Sequence, residues 1–233
     1  MTTWENAPPG FGELYGLLGN ERLWPAPRAA RYPITFAQLG ALGSIRTVTG
    51  KVRIISGQWR RRVIRVPEVE GLRPTPDRVR ETLFNWLAGS IEGARCLDLY
   101  AGSGALGFEA ASRGAAMVVM VEKNDRAVDC IRRQVSELGA TQIEVVHADA
   151  RRWLQGEGSE FDIAFLDPPF GGDDLGELCE RLDQASWLSP GALVYLESRL
   201  AEDPLHLPSA WQILRRQKAG QVRYHLAAAG NAN

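Results

Sequence analysis

The spacing of apolar positions changes near Val52, and the predicted elements change with it. Residues 1–50 are rich in glycine and proline (Pro8, Pro9, Gly10 and Gly12 among them) and keep no period of 2 or 3.6. They are expected to form an irregular N-terminal extension: a true appendage, or upstream sequence from a misassigned start. From Val52 the pattern becomes regular. Val52–Gly57 and Arg62–Val66 alternate in part like short strands, and Gly57–Arg61 can supply the turn between them. This predicts a β-hairpin within residues 51–72. Next, Thr75 suits a helix N-cap, Pro76 the first helical position and Asp77 the positive end of the dipole. Val79, Leu83, Trp86 and Leu87 then line one helical face.

Beyond Gly93 strands and helices alternate. Strands are predicted at 95–99, 117–121, 143–147, 162–166 and 192–197, and helices at 105–113, 125–138, 150–155 and 174–186. Trp211–Ala227 reads as two extended runs broken at Gly220, a terminal antiparallel hairpin. Repeated βα units imply an α/β domain over 73–230, with a mostly parallel sheet and helices on both faces.

Composition removes whole classes of function. At 45% hydrophobic and 24% charged residues, the chain can bury a substantial core. No apolar run approaches the roughly eighteen residues of a membrane span, and no secretory leader is visible, so a cytoplasmic protein with no membrane partner is expected. Three cysteines and three histidines are scattered, which argues against a disulfide framework or a metal site. No exposed apolar stripe demands a dimer, so a monomer is expected. Charge is unevenly distributed. Lys51–Arg80 holds nine basic and three acidic residues, net +6 in a chain of net −1. A basic head on an acidic body is the asymmetry expected when one segment meets phosphates.

Candidate chemistry lies at predicted strand ends. Asp98-Leu99-Tyr100-Ala101-Gly102-Ser103-Gly104 runs from a strand into a helix start, where glycines admit a ligand close to the backbone. Gly102, Gly104 and Gly107, with Glu122 twenty residues after Gly102, also spell a dinucleotide fingerprint, so an oxidoreductase is a rival. Asp98 decides against it: a pyrophosphate gains nothing from a carboxylate there, whereas the ammonium of a sulfonium cofactor does. Glu122 could take ribose hydroxyls, and Asp149 an adenine amino group. Ala101 and Ala150 flank these groups. The next strand runs into Asp167-Pro168-Pro169-Phe170, a stiff loop with free carbonyls. Asp167 and the Pro168 carbonyl could accept the two hydrogens of an aromatic amine while Phe170 stacks on the base. The expected activity is methyl transfer to an exocyclic amine of a nucleic-acid base.

In these residues the chain resembles the RsmD-type methyltransferases. The resemblance runs from Val52 to Ala227 and is carried by Val52–Arg60, by Leu72–Leu87 with its Arg73-Pro74-Thr75-Pro76-Asp77-Arg78 helix start, by Asp98–Gly104 and by Asp167–Phe170. It implies a Rossmann-like class I methyltransferase fold with a seven-stranded sheet and a small N-terminal hairpin. It also implies S-adenosylmethionine as donor, and guanine N2 of 16S rRNA, free or in a small-subunit assembly intermediate, as acceptor. On that reading Arg53, Arg60, Arg61 and Arg62 contact RNA phosphates, and Arg73, Arg78 and Arg80 line the mouth of the site; Arg78 or Arg80 could equally pair with a carboxylate. The alternatives are an adenine-N6 DNA methyltransferase, a protein-glutamine methyltransferase, and a binding module without catalysis. Only 63 residues follow Phe170, little room for a DNA target-recognition region.

Overall fold

The computed structural model describes residues 48–169, 175–200 and 205–230. Most of the expected extension, and Phe170 of the catalytic loop, lie outside the described residues. Strand β1 (Val48–Arg53) pairs antiparallel with β2 (Val63–Pro67) to form the hairpin. β1 stops at Arg53 rather than Gly57 because the Ile55 and Ser56 N–H groups bond the Glu109 carboxylate instead of a partner strand. Helix α1 (Asp77–Trp86) follows, then β3 (Arg95–Asp98), α2 (Ala105–Ser112), β4 (Met117–Glu122), α3 (Asp125–Leu138), β5 (Ile143–His147), α4 (Ala150–Trp153) and β6 (Phe161–Leu166). Helix α5 (Leu175–Gln184), β7 (Leu188–Arg199), β8 (Gln212–Ala219) and β9 (Val222–Ala228) complete the domain.

Local chemistry accounts for the boundaries. α3 begins where the Asn124 side chain accepts from the Arg126 and Ala127 N–H groups, and it ends at Gly139 in the left-handed conformation. β4 and β6 are nearly continuous apolar runs because parallel strands are covered on both faces. Alternate side chains along the central strands enter two separate cores. Cys96, Ile163, Phe165 and Tyr195 pack on the face that carries α1, α2 and the hairpin. Leu97, Ala164, Leu166, Val194 and Leu196 pack on the opposite face with α5. The hairpin's inward residues Val52, Ile54, Trp59, Ile64 and Val66 belong to the first core.

The seven-stranded sheet has the order β5-β4-β3-β6-β7-β9-β8. β3 to β7 run parallel; β9 pairs antiparallel with β7, and β8 pairs antiparallel with β9. The chain leaves β3 toward β4 on one side and comes back to β6 on the other. That reversal opens a crevice at the carboxyl ends of β3 and β6, where doubly wound folds bind ligands. Asp98 and Asp167 stand at those two ends.

Candidate active site

The cofactor half of the crevice is built by three strand ends. Asp98 closes β3, is almost wholly buried, and accepts the Gly107 N–H at 3.0 Å. Burial raises its pKa to about 7, with Glu122 adding to the rise and the Gly107 bond opposing it. Glu122 closes β4 and accepts the Gly102 and Asn124 N–H groups, each at 2.8 Å, which folds the glycine loop back onto that strand. Gly104 caps α2 at φ +77°, where a Cβ would also press within 2.8 Å of the Phe108 ring. Only glycine makes this turn without strain. Ala101 is buried beside the loop, its N–H bonded to the Val121 carbonyl. Asp149 stands before α4 and caps it through the Arg152 N–H at 3.2 Å; Ala150 is buried behind it.

The catalytic half follows β6. Pro168 is buried and Pro169 is exposed. Asp167 is half-buried, with other acids close by. Burial raises its pKa well above the usual carboxylate range, Glu197 and Asp98 raise it further, and a hydrogen bond from Thr75 opposes them. Thr75 had been expected to cap α1. The structure puts Pro76 at the cap with no side-chain bond, and the Thr75 hydroxyl serves Asp167 instead.

Two further residues escape the strand-end reading. Tyr195 and Glu197 sit two apart on β7 and so share a face. The Tyr195 hydroxyl donates to Glu197 Oε1 at 2.6 Å, and both residues are buried. In sequence Glu197 lies inside an ordinary strand; the β6–β7 register, with Phe165 beside Tyr195 and Leu166 beside Leu196, is what brings it next to Asp167.

The arginines divide. Arg53, Arg60, Arg61, Arg62, Arg73 and Arg78 have exposed side chains. Arg80 does not, which corrects its expected place at the RNA-facing mouth: its side chain is fully buried and bonds Asp77 at 2.7 Å, the Arg53 carbonyl at 2.9 Å and Glu109 at 3.4 Å. Arg73 and Arg78 flank Thr75 and are therefore near the crevice. The turn with Arg60–Arg62 is elsewhere. The Gln58 N–H bonds the Ser112 carbonyl, and a Cβ on Gly57 would overlap that carbonyl at 1.7 Å. Ser112 ends α2, whose start faces the crevice, so the turn docks at the opposite end of that helix. Among the described residues no group of His, Cys, Asp and Glu could hold a metal ion, and no helix is long and apolar enough to cross a membrane.

Residues 52–228 match the family described as Conserved hypothetical protein 95. The chain belongs to this family, the RsmD-type methyltransferases. Ribosomal RNA small subunit methyltransferase D of Escherichia coli K12 is 44% identical over 178 residues, covering 76% of this chain and 90% of its own. The protein of the same name from Haemophilus influenzae is 41% identical over 181 residues, covering 76% and 93%. Among solved structures, yhhF from Escherichia coli is 41% identical with a TM-score of 0.74, covering 78% of this chain and 99% of its own. The RsmD-type fold is Rossmann-like, as the strand order already indicated.

Proposed function

We propose that this RsmD-type protein transfers a methyl group from S-adenosylmethionine to the exocyclic N2 amine of a guanine in 16S rRNA. The observation that carries the donor is the acid set at three adjacent strand ends, Asp98, Glu122 and Asp149, with no arginine or lysine of the described residues among the groups acting on Asp98. A pyrophosphate would be repelled here. A cationic ligand with an ammonium, a ribose diol and an adenine amine has a partner for each group: Asp98 for the ammonium, Glu122 for the diol, Asp149 for the adenine. When bound, S-adenosylmethionine supplies an electrophilic methyl group on sulfur.

The remaining work falls to the chain. An aromatic amine is a weak nucleophile because its lone pair is delocalised into the ring. Two acceptors aimed at its two hydrogens, Asp167 and the Pro168 carbonyl, orient the nitrogen and favour the pyramidal form. Positioning of this kind contributes up to roughly 7–11 kcal/mol. Asp167 then takes the proton that nitrogen loses. A base presented to the loop must be unstacked or flipped out, and an aromatic neighbour such as Phe170 would hold it with about 1–3 kcal/mol. Exposed Arg53, Arg73 and Arg78, with Arg60–Arg62 further off, are the phosphate contacts this reading calls for.

The test is transfer of radiolabelled methyl to small-subunit rRNA from cells lacking the protein, followed by nucleoside analysis. Label in N2-methylguanosine is the expected result. Label in N6-methyladenosine, or only on DNA, would move the acceptor to the alternative class. Loss of transfer in Asp167→Ala is expected, and wild-type rates in that variant would overturn the loop chemistry.

A further inference from the structure

Three neighbouring strands bring acids to one face of the sheet, Asp98 and Glu197 buried and Asp167 half-buried. Asp98 follows Cys96 on β3, Asp167 follows Phe165 at the end of β6, and Glu197 follows Tyr195 on β7, each two residues after a side chain in the same core. β6 lies between β3 and β7, so Asp167 stands between the other two acids. Among the described residues, the groups acting on it are acidic or neutral. Glu197 and Tyr195 come from β7, Asp98 from β3, and Thr75 from the segment leading into α1; Glu122 reaches Asp98 from β4, and Tyr224 of β9 lies behind Tyr195 with ring centroids 6.3 Å apart. None of the ion pairs among the described residues engages Asp98, Asp167 or Glu197. Two carboxylates held side by side, one buried and one half-buried, each raise the other's pKa and disfavour the doubly ionised pair unless a cation is near.

The mechanism above gives Glu197 no task, yet it requires Asp167 as an ionised acceptor. We propose that Glu197 is a positioning residue: it shares one proton with Asp167 until a positively charged donor displaces that proton, so that Asp167 becomes an acceptor for the substrate amine only when the donor is bound. The inference rests on the reading of the crevice as a sulfonium-cofactor site. Hydrogen bonds divide the labour, since Thr75 donates to Asp167 and Tyr195 to Glu197, and each carboxylate has a neutral donor ready for its charged form. The demethylated product is a neutral sulfide. Its arrival restores no positive charge beside Asp167, and the shared proton stays.

Proton release on binding tests this directly. Calorimetric titration of the wild-type protein with S-adenosylmethionine and with S-adenosylhomocysteine, at pH 7 in buffers of different ionisation enthalpy, counts protons for each ligand. Both ligands carry the same α-ammonium, so any contribution from Asp98 cancels in the difference. The donor is expected to release more protons than the product, by a fraction approaching one, and Glu197→Gln is expected to remove that difference. A merely structural role for Glu197 would lower both affinities and leave the proton difference intact. Equal release with the two ligands in the wild-type protein overturns the inference, whether or not the variant folds. Binding of neither ligand would instead overturn the donor reading on which it depends.

Discussion

Thr75 shows how one hydroxyl can serve catalysis when its local pattern advertises a cap. Thr75→Val keeps the shape and removes the donor to Asp167. A hydrogen bond to a charged group is worth about 1.5–3 kcal/mol. Turnover is therefore expected to fall roughly 10- to 100-fold in single-turnover assays, with donor affinity nearly unchanged. Asp98 makes a different point. Its folded pKa of about 7 lies above the ordinary value of 3.8. The stability tied to this group is fully present below about pH 4 and is lost as pH rises through about 7. Asp98→Asn should flatten the dependence of Tm on pH between 5 and 8. It should also stabilise the ligand-free protein at pH 8, by an amount on the order of a few kcal/mol, while donor binding is lost. A Tm profile parallel to wild type would refute this.

Among elements, the hairpin depends on α2. Glu109 of α2 is fully buried and receives the Ile55 and Ser56 N–H groups, Arg80 and Arg113. Gln134 of α3 accepts the Arg65 N–H at 2.6 Å. The hairpin is thus held against two helices, and Arg80 is part of that attachment. Without Arg80, Glu109 keeps Arg113 at 2.7 Å, so the cost falls below the figure for a buried charge left unpaired and is that of lost charge-assisted hydrogen bonds, about 1.5–3 kcal/mol. Arg80→Met should lower stability by that amount in urea titrations while leaving the salt dependence of RNA binding unchanged. A reduced salt slope with wild-type stability would return Arg80 to the RNA surface.

For the whole molecule, the exposed arginines fall into two groups by their distance from the crevice. Each phosphate contact contributes a slope of about 0.7–0.9 to the logarithmic salt dependence. Replacing Arg60, Arg61 and Arg62 together is expected to weaken RNA binding and reduce that slope, with turnover at saturating RNA preserved because their turn docks at the end of α2 away from the crevice. Replacing Arg73 and Arg78 should instead lower transfer itself, since they flank the residue that bonds Asp167. Filter binding across salt, beside saturating kinetics, separates the two, and an unchanged slope in the triple variant would remove the turn from the RNA footprint.

Period and punctuation in the chain were enough for the element order, the parallel sheet, both hairpins and the span of α3, because local backbone preferences and one-sided burial set those features within a few residues. The acids at strand ends and the Asp167–Pro169 loop were legible for a related reason: the carboxyl ends of parallel strands open onto the crevice. Contacts between residues far apart in sequence were not legible. Strand register brings Glu197 beside Asp167, chain reversal turns the Thr75 hydroxyl from a cap to a partner, and a buried Glu109 draws Arg80 inward. The interior environment decides these roles. A charge seen in sequence becomes a ligand, a proton partner or a structural tie only when tertiary packing determines how much water it loses and which group faces it.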